Sequence, residues 1–412
     1  MSEKALYVYC GTVGLRLRNI IGSKVSGGIS SYFNKHDFLY VHKGRTAINL
    51  ACQILGLRRG DEILAPSYNC GSEIDALIGS GLSVSLYRVD RSALIDVQDI
   101  ERKITKQTKV IYITHYFGFP QAVEDIKTIC KKNKLYLIED CALALFSGHR
   151  NNMIGTTGDV SIYSLPKTLP VPDGGVLLIN NTLFKSNQFS LAKPECKDIL
   201  IGTLPLLKVA LLRWCFQKTL LCKLQTSSHQ ERYTFKEPNR DIRNTRPDMP
   251  QSYYYNDRLN DKDISYMTRK LMETFDPGEI KKIRRRNFIM LGEMFDRSLR
   301  AEPLYKELPN NVCPLNFPLI VEKRDEIVER LNSMFIDARP WWRGFHKTLP
   351  WSEFPEACFL KDHLITLPVH QDISESALRH IAKCVRELTN TQQQTINNQV
   401  LSSRPIAFKR WQ

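Results

Sequence analysis

Residues 163–175 read YSLPKTLPVPDGG, which sets one lysine, Lys167, among three prolines and closes on two glycines. Prolines at that density suit neither a helix interior nor a central strand, so the backbone on either side of Lys167 is stiff. An isolated lysine is ordinarily a surface charge. Held rigidly near apolar surroundings and other cations, it loses proton affinity and becomes an amine nucleophile, able to anchor a cofactor aldehyde covalently. Three further features carry polar groups that could serve the same centre. LIED (137–140) ends an apolar strand on Asp140, at the sheet edge where ligands collect in open α/β proteins. There a carboxylate either pairs with a protonated ring nitrogen or caps the next turn through backbone N–H groups. KGRTA (43–47) joins a strand to a helix; the N–H groups of such a helix start, with the Thr46 hydroxyl, hold a phosphate or simply form a turn. The Ser164 hydroxyl has the same two options.

These residues sit on a regular alternation. DFLYVHKG reads as a strand leading into RTAINLACQILGL, where Ala47, Leu50, Ala51 and Ile54 share a helix face. DEILAPS, SVSLYRVD, KVIYITHYFG, LYLIED, DVSIYSL and GGVLLIN read as further strands; SEIDALIGSG, DVQDIERKI and AVEDIKTICKKNK read as the intervening helices. Such alternation predicts an α/β fold with a mostly parallel sheet between helices. The pattern changes after residue 190. LPLLKVALLRWCFQKTLLCKL (204–224) is an apolar helix with cations at five-residue steps, Lys208, Arg213, Lys218 and Lys223. It packs on the protein with its lysines snorkelling, or touches a membrane surface weakly. Residues 226–262 read as an extended loop. From 276, DPGEIKKIRRRNFIMLGEMF, CPLNFPLIV, RDEIVERLNSM and SESALRHIAKCVREL predict a smaller α+β unit. The expected organisation is an N-terminal segment (1–37), a large α/β domain (38–275) with a helical and loop insertion at about 190–262, a small C-terminal α+β domain (276–389) and a polar tail (390–412).

The net charge of +15 favours anionic partners, among them phosphate-bearing small molecules. The basic runs KKNK, KKIRRR and FKR lack interleaved aromatics, so they read as solvated faces and nucleic acid is not expected. Eleven cysteines without a C-x-x-C pair indicate neither a zinc ribbon nor a disulfide framework. A cytoplasmic protein without signal peptide or transmembrane span is expected, and no metal.

GRTA after a strand, DEILAPSYN, HYFGFPQ, LIEDCALAL, GDVSIYSLPKTLPVPDGG and later LITLPVHQDIS occur in the order seen in the DegT/DnrJ/EryC1/StrS family. The chain resembles these pyridoxal-phosphate (PLP) dependent sugar aminotransferases of fold type I, well over 38–180 and more loosely over 276–388. The resemblance implies a small C-terminal α+β domain beside a large cofactor domain. It makes Lys167 the Schiff-base lysine and Asp140 the partner of the pyridinium nitrogen. It also places Thr46 and Ala47, with the adjoining Arg45, on the turn holding the cofactor phosphate, and Ser164 as a phosphate-binding serine. An offshoot with histidine in place of the lysine dehydrates its substrate, so lysine favours transamination.

The departures point to a divergent branch. Where the family places an aromatic over the cofactor ring, this chain offers Cys70 or, with a shifted register, Tyr68; Leu143 replaces a frequent glutamine, and the serine–lysine spacing is two residues shorter. In DARPWWRGFH (337–346), Arg339, Trp342, Arg343 and His346 fall where the family has substrate-mouth residues. Those cations could meet a sugar diphosphate or a donor carboxylate, while Trp341 and Trp342 could equally be core. Asn256 matches an asparagine that reaches in from a neighbouring subunit. The implied activity is conversion of a nucleotide-diphosphate-linked keto sugar to an amino sugar, with glutamate or glutamine as donor, for lipopolysaccharide or other surface polysaccharide, or a glycosylated metabolite, in a homodimer. Other readings are a different PLP reaction, or a non-catalytic, membrane-peripheral binding protein on the same fold.

Overall fold

A computed structural model describes residues 13–16, 19, 22, 24–25, 27–150, 152–215, 248–295, 301–342 and 344–402, with the side chains of 30, 208–215 and 390–402 left aside. The predicted alternation forms β1 (Asp37–Val41), α1 (Gly44–Ile54), β2 (Glu62–Pro66), α2 (Ser72–Gly79), β3 (Ser83–Tyr87), α3 (Val97–Lys103), β4 (Thr108–Thr114), α4 (Val123–Asn133), β5 (Tyr136–Asp140), β6 (Val160–Ser164) and β7 (Gly175–Ile179). The seven strands make one sheet in the order β1-β7-β6-β5-β4-β2-β3. Strands β3, β2, β4, β5 and β6 run parallel, while β7 is antiparallel to both β6 and β1. Strand β1 therefore points the same way as β5 and β6, and their carboxyl ends share one edge. Register fixes the alignment: Val41 and Ser164 both pair with Gly175.

The glycine pair has a steric cause. A Cβ on Gly175 would lie 2.5 Å from the Lys43 backbone, and Gly174 has φ +126°. Only glycines let β7 begin this close to the β1–α1 turn.

Beyond the large sheet come α5 (Cys196–Cys215), α6 (Tyr266–Met272), α7 (Pro277–Phe295), β8 (Ala301–Pro303), β9 (Phe317–Val321), α8 (Arg324–Ser333), β10 (Arg339–Pro340), α9 (Pro355–His363), β11 (Leu364–Leu367) and α10 (Glu375–Ser402). The order β8-β9-β11-β10 gives a four-stranded antiparallel sheet. Its apolar face meets α7 and α10 in a core holding Phe288, Leu291, Phe295, Phe317, Ile381 and Val385. Residues of both sheets belong to this one core. Leu15, Ile29 and Phe33 join a second core with Leu165, Val176 and Met272.

Three local expectations change. Helix α5 starts at Cys196 and runs through Pro205; residues 216–224 of the expected apolar–basic helix, and 226–247 of the loop after it, lie outside the described residues. Gly202 abuts the Pro172 carbonyl and Leu206 is buried, whereas Leu200, Ile201 and Leu204 face outward. No helix among the described residues is long and apolar enough to cross a membrane. Helix α10 continues past residue 390 to Ser402, where the polar composition suggested a tail. The KKIRRR run is not uniformly solvated, since Arg284 is only 1% exposed. One face of α7 must enter the core, and position 284 falls on it with Ile280, Asn287, Phe288 and Leu291.

Candidate active site

The shared strand edge brings the chemistry-bearing residues together. Asp140 ends β5, 7% exposed. The Tyr112 hydroxyl donates to its Oδ2 at 2.9 Å and the Ala142 N–H to its Oδ1 at 2.8 Å. It caps its own turn, as one reading proposed, and still lines a cavity. Burial pushes the Asp140 carboxyl up; the Lys167 cation pulls it back down, and Glu73 pushes it up again. Lys167 ends the short turn Leu165–Lys167 after β6. Leu165 anchors that turn: its side chain is fully buried, its N–H donates to Gly174 O, and its carbonyl accepts from Thr168 N and Leu169 N. The prolines and glycines around Lys167 hold an exposed amine on a buried, hydrogen-bonded base.

Two cavities meet at this lysine. The smaller, about 320 Å³, is lined by Gly44, Arg45, Glu73, Asp140, Ser164 and Lys167 among others. The larger, about 480 Å³, lies between the sheets and is lined by Cys70, Lys167, Arg284, Arg339, Trp342 and His370 among others. Lys167, Pro166, Ser72 and Arg45 border both. Helix α1 opens on the smaller cavity, and its N-cap Lys43 makes no side-chain cap bond. The first-turn N–H groups remain available to an anion there. Two buried atoms at this cavity, His42 Nδ1 and Asp173 Oδ2, have no hydrogen-bond partner among the described residues.

Several candidates occupy other places. Thr46 donates its hydroxyl to Leu259 O at 3.0 Å, and Ala47 is packed into the core, so neither lines the smaller cavity. Gly44 and Arg45 take that place. The Arg45 guanidinium donates to Tyr253 O at 2.9 Å and Tyr254 O at 2.7 Å, fastening the 250–254 segment over the site. Tyr68 is fully buried with its ring near Tyr116 and Trp342 and its hydroxyl on Trp341 O; it lines neither cavity. Cys70 does line the larger one, its thiol donating to Glu73 Oε2 at 2.6 Å. Burial, then the Glu73 charge, push that thiol up to about 12, so it is uncharged at neutral pH. Leu143 is core.

Arg339 reaches the larger cavity while holding Asp337 through Nε at 2.9 Å and Nη2 at 2.6 Å. Trp341 and Trp342 line it and also pack on Phe117 and Tyr68, so both earlier readings of the tryptophans apply. His346 does not reach it: Nε2 meets Asp75 Oδ1 at 3.0 Å, Nδ1 meets Thr348 Oγ1 at 2.8 Å, and the ring is buried. Asn256 caps a short turn by accepting from Arg258 N, beside a separate cavity shared with Arg45 and Thr46. Arg343 lies outside the described residues. Sequence reasoning missed Glu73, Tyr112 and Arg284. The acid in CGSE at a helix start was a readable signal; nothing local marked the other two.

Lys361 lines neither cavity. It is fully buried, donates to Gly344 O at 2.8 Å and lies over the Phe345 and Trp351 rings at 5.0 and 4.8 Å. Burial pushes its amine down from 10.5 to about 8. Between those pH values the unfolded chain holds a proton that the folded chain has released, so folding stability rises with pH across the window. Lys361→Met is expected to abolish a gain of about 3 kcal/mol between pH 8 and 10.5, seen as the difference between wild-type and variant urea midpoints. Parallel pH profiles of the two proteins would contradict this.

Residues 25–198 match the DegT/DnrJ/EryC1/StrS aminotransferase family. Over that segment, less than half of the chain, the sequence is similar to this family. A GDP-perosamine synthase of Vibrio cholerae is 31% identical over 146 residues, 35% of this chain and 40% of that protein. A dTDP-4-dehydro-2,3,6-trideoxy-D-glucose 4-aminotransferase of Saccharopolyspora spinosa is 33% identical over 141 residues, 34% of this chain and 37% of that protein. The matched segment thus spans about 40% of the length of these curated relatives. A Streptococcus pneumoniae protein described as a sugar aminotransferase, solved in its PLP form, superposes with TM-score 0.61 at 15% identity, covering 88% of this chain and 89% of that one. The fold is that of the fold type I aminotransferases.

The residues present fit the cofactor that this relationship implies. The DegT/DnrJ/EryC1/StrS pattern calls for an amine, a carboxylate and an anion cradle around one cavity, and Lys167, Asp140 and the uncapped α1 start with Ser164 supply them. Glu73 lines that cavity and accepts from Cys70, which lines the larger one, while neither Tyr68 nor Trp342 borders the smaller cavity.

Proposed function

We propose that the chain is a PLP-dependent aminotransferase that converts a keto sugar carried on a nucleotide diphosphate into an amino sugar, with glutamate or glutamine as amine donor. One observation carries the reading: Lys167 and Asp140 line a single cavity, and Lys167 also borders a second, larger cavity with room for a substrate. When bound, PLP supplies an electron sink for charge developing on the substrate carbon. Asp140, fixed by Tyr112 and Ala142, would hold a proton on the ring nitrogen through a charge-assisted bond. Gly44, Arg45 and Ser164 would hold the phosphate through N–H groups and a hydroxyl. Lys167 would hold the cofactor aldehyde through its amine and would move a proton at its Nζ to and from the substrate carbon. Its stiff turn restricts where that amine can go. Arg339 and Trp342 offer a cation and an apolar wall to the sugar nucleotide.

The named activities of the Vibrio cholerae and Saccharopolyspora spinosa relatives support the substrate class, and a role in surface polysaccharide or glycosylated-metabolite synthesis accords with them. A homodimer, a cytoplasmic setting and the domain division at about residue 276 belong to the same reading. Chemistry favours transamination over dehydration because position 167 is lysine. The Cys70–Glu73 pair favours a second reading, another PLP reaction on this scaffold, since it sets a polar contact where the two cavities that share Lys167 adjoin.

The deciding experiment incubates PLP-loaded protein with glutamate or glutamine, removes the donor, and adds a panel of nucleotide-linked 3-keto and 4-keto sugars. Mass spectrometry should detect an amino sugar from at least one. Loss of a hydroxyl with no nitrogen gained would support the second reading, and no product from any donor–acceptor pair would count against both.

A further inference from the structure

Arg284 is a fully buried cation that donates to neutral acceptors, with Asp372 acting on it only through its charge. Its Nε donates to Gln371 Oε1 at 2.9 Å, Nη1 to Leu315 O at 2.8 Å and Pro314 O at 3.3 Å, and Nη2 to Thr168 O at 3.2 Å. Gln371 Nε2 donates to the same Thr168 carbonyl at 3.2 Å. Burying a guanidinium costs free energy unless its donors are used, and here each nitrogen donates. What they hold is informative. Thr168 directly follows Lys167, Pro314–Leu315 leads into β9, and Gln371 follows β11. Arg284, Leu315, His370 and Lys167 all line the larger cavity. One side chain therefore ties the lysine-bearing turn of the large sheet to two segments flanking strands of the small sheet. Among the described residues, the backbone bonds that hold the turn to the large sheet are local ones at Leu165 and Gly174.

We propose that Arg284, braced by Gln371, is a positioning residue that fixes the Lys167 turn against the wall of the larger cavity, keeping the reacting amine in register with a substrate held there. The role of the amine rests on the aminotransferase reading; the brace itself does not. Lysine at 284 keeps the charge but cannot reach four acceptors, and Gln371→Leu removes the second donor at a half-exposed position.

Two readouts separate positioning from general stability. Hydrogen exchange of the Thr168 and Leu169 amides should accelerate about tenfold in Arg284→Lys and by a smaller factor in Gln371→Leu, with β4 and β5 amides unchanged. Borohydride-trappable attachment of PLP should slow about tenfold in Arg284→Lys, while non-covalent PLP affinity in a Lys167→Ala background stays within about twofold. If Arg284→Lys does not fold, Gln371→Leu decides alone. A lowered melting temperature with exchange and attachment rates unchanged would overturn the proposal. Failure of the wild type to attach PLP would sink the reading of Lys167 as an anchor; exchange at 168–169 would then decide the brace, faster exchange supporting it and unaltered exchange overturning it.

Discussion

Lys167→Ala is expected to leave a folded protein that binds PLP only reversibly and transfers amines at least about 10³-fold more slowly, the scale set by losing both a covalent anchor and a proton-transfer base. Near-visible absorbance after gel filtration should show the cofactor retained by wild type and lost by the variant, and amine transfer should fall with it. The fold should survive, because the exposed side chain contributes little packing while Leu165 and Gly174 hold the turn. A variant keeping its colour through gel filtration and its turnover would mean the amine at 167 does no chemistry.

Asp140→Asn should separate stability from function. Burial and the Glu73 charge push the Asp140 carboxyl up, with Lys167 opposing. A group whose folded pKa lies above its unfolded value stabilises the fold at low pH and loses that contribution as pH rises through the folded value. Above the carboxylate's unfolded range Asp140 thus lowers the stability of the cofactor-free protein, and asparagine, isosteric and neutral, removes that cost. The cofactor-free variant should melt no lower than wild type. Its amine transfer should drop by about 10²-fold or more, since a charge-assisted bond to the ring nitrogen becomes a neutral one. Glu is the informative control, because it restores charge without geometry. A large fall in melting temperature with modestly changed activity would make Asp140 a structural cap for the turn at Ala142 and nothing more.

The strands and helices of the large sheet were legible because period-two and helical runs alternate between turn residues, and each run found its element. Pairing order was not legible, yet the glycine pair at 174–175 held the clue: β7 can press against the β1–α1 turn only without side chains. In the site, the composition of the Lys167 stretch and the position of Asp140 pointed correctly to one cavity edge. Thr46 was expected to face the cavity at the α1 start and does not, because its direction depends on Leu259, which is distant in sequence. His346 and Tyr68 look functional by type, but partners from other segments use their polar atoms. Arg284 was hidden for the same reason: in a basic run, nothing local tells which cation the tertiary fold will bury. The start of α5 was obscured by Pro205, which reads as a break and sits inside a helix.

The central claim, that one amine at the junction of two cavities carries the cofactor, is tested most directly by mapping the attachment site. Protein loaded with PLP, reduced with borohydride and digested should yield one modified peptide, spanning the YSLPKTLPVPDGG stretch with the added mass on Lys167. A modified lysine elsewhere, such as Lys43 at the rim of the smaller cavity, or no modified peptide at all, would contradict it.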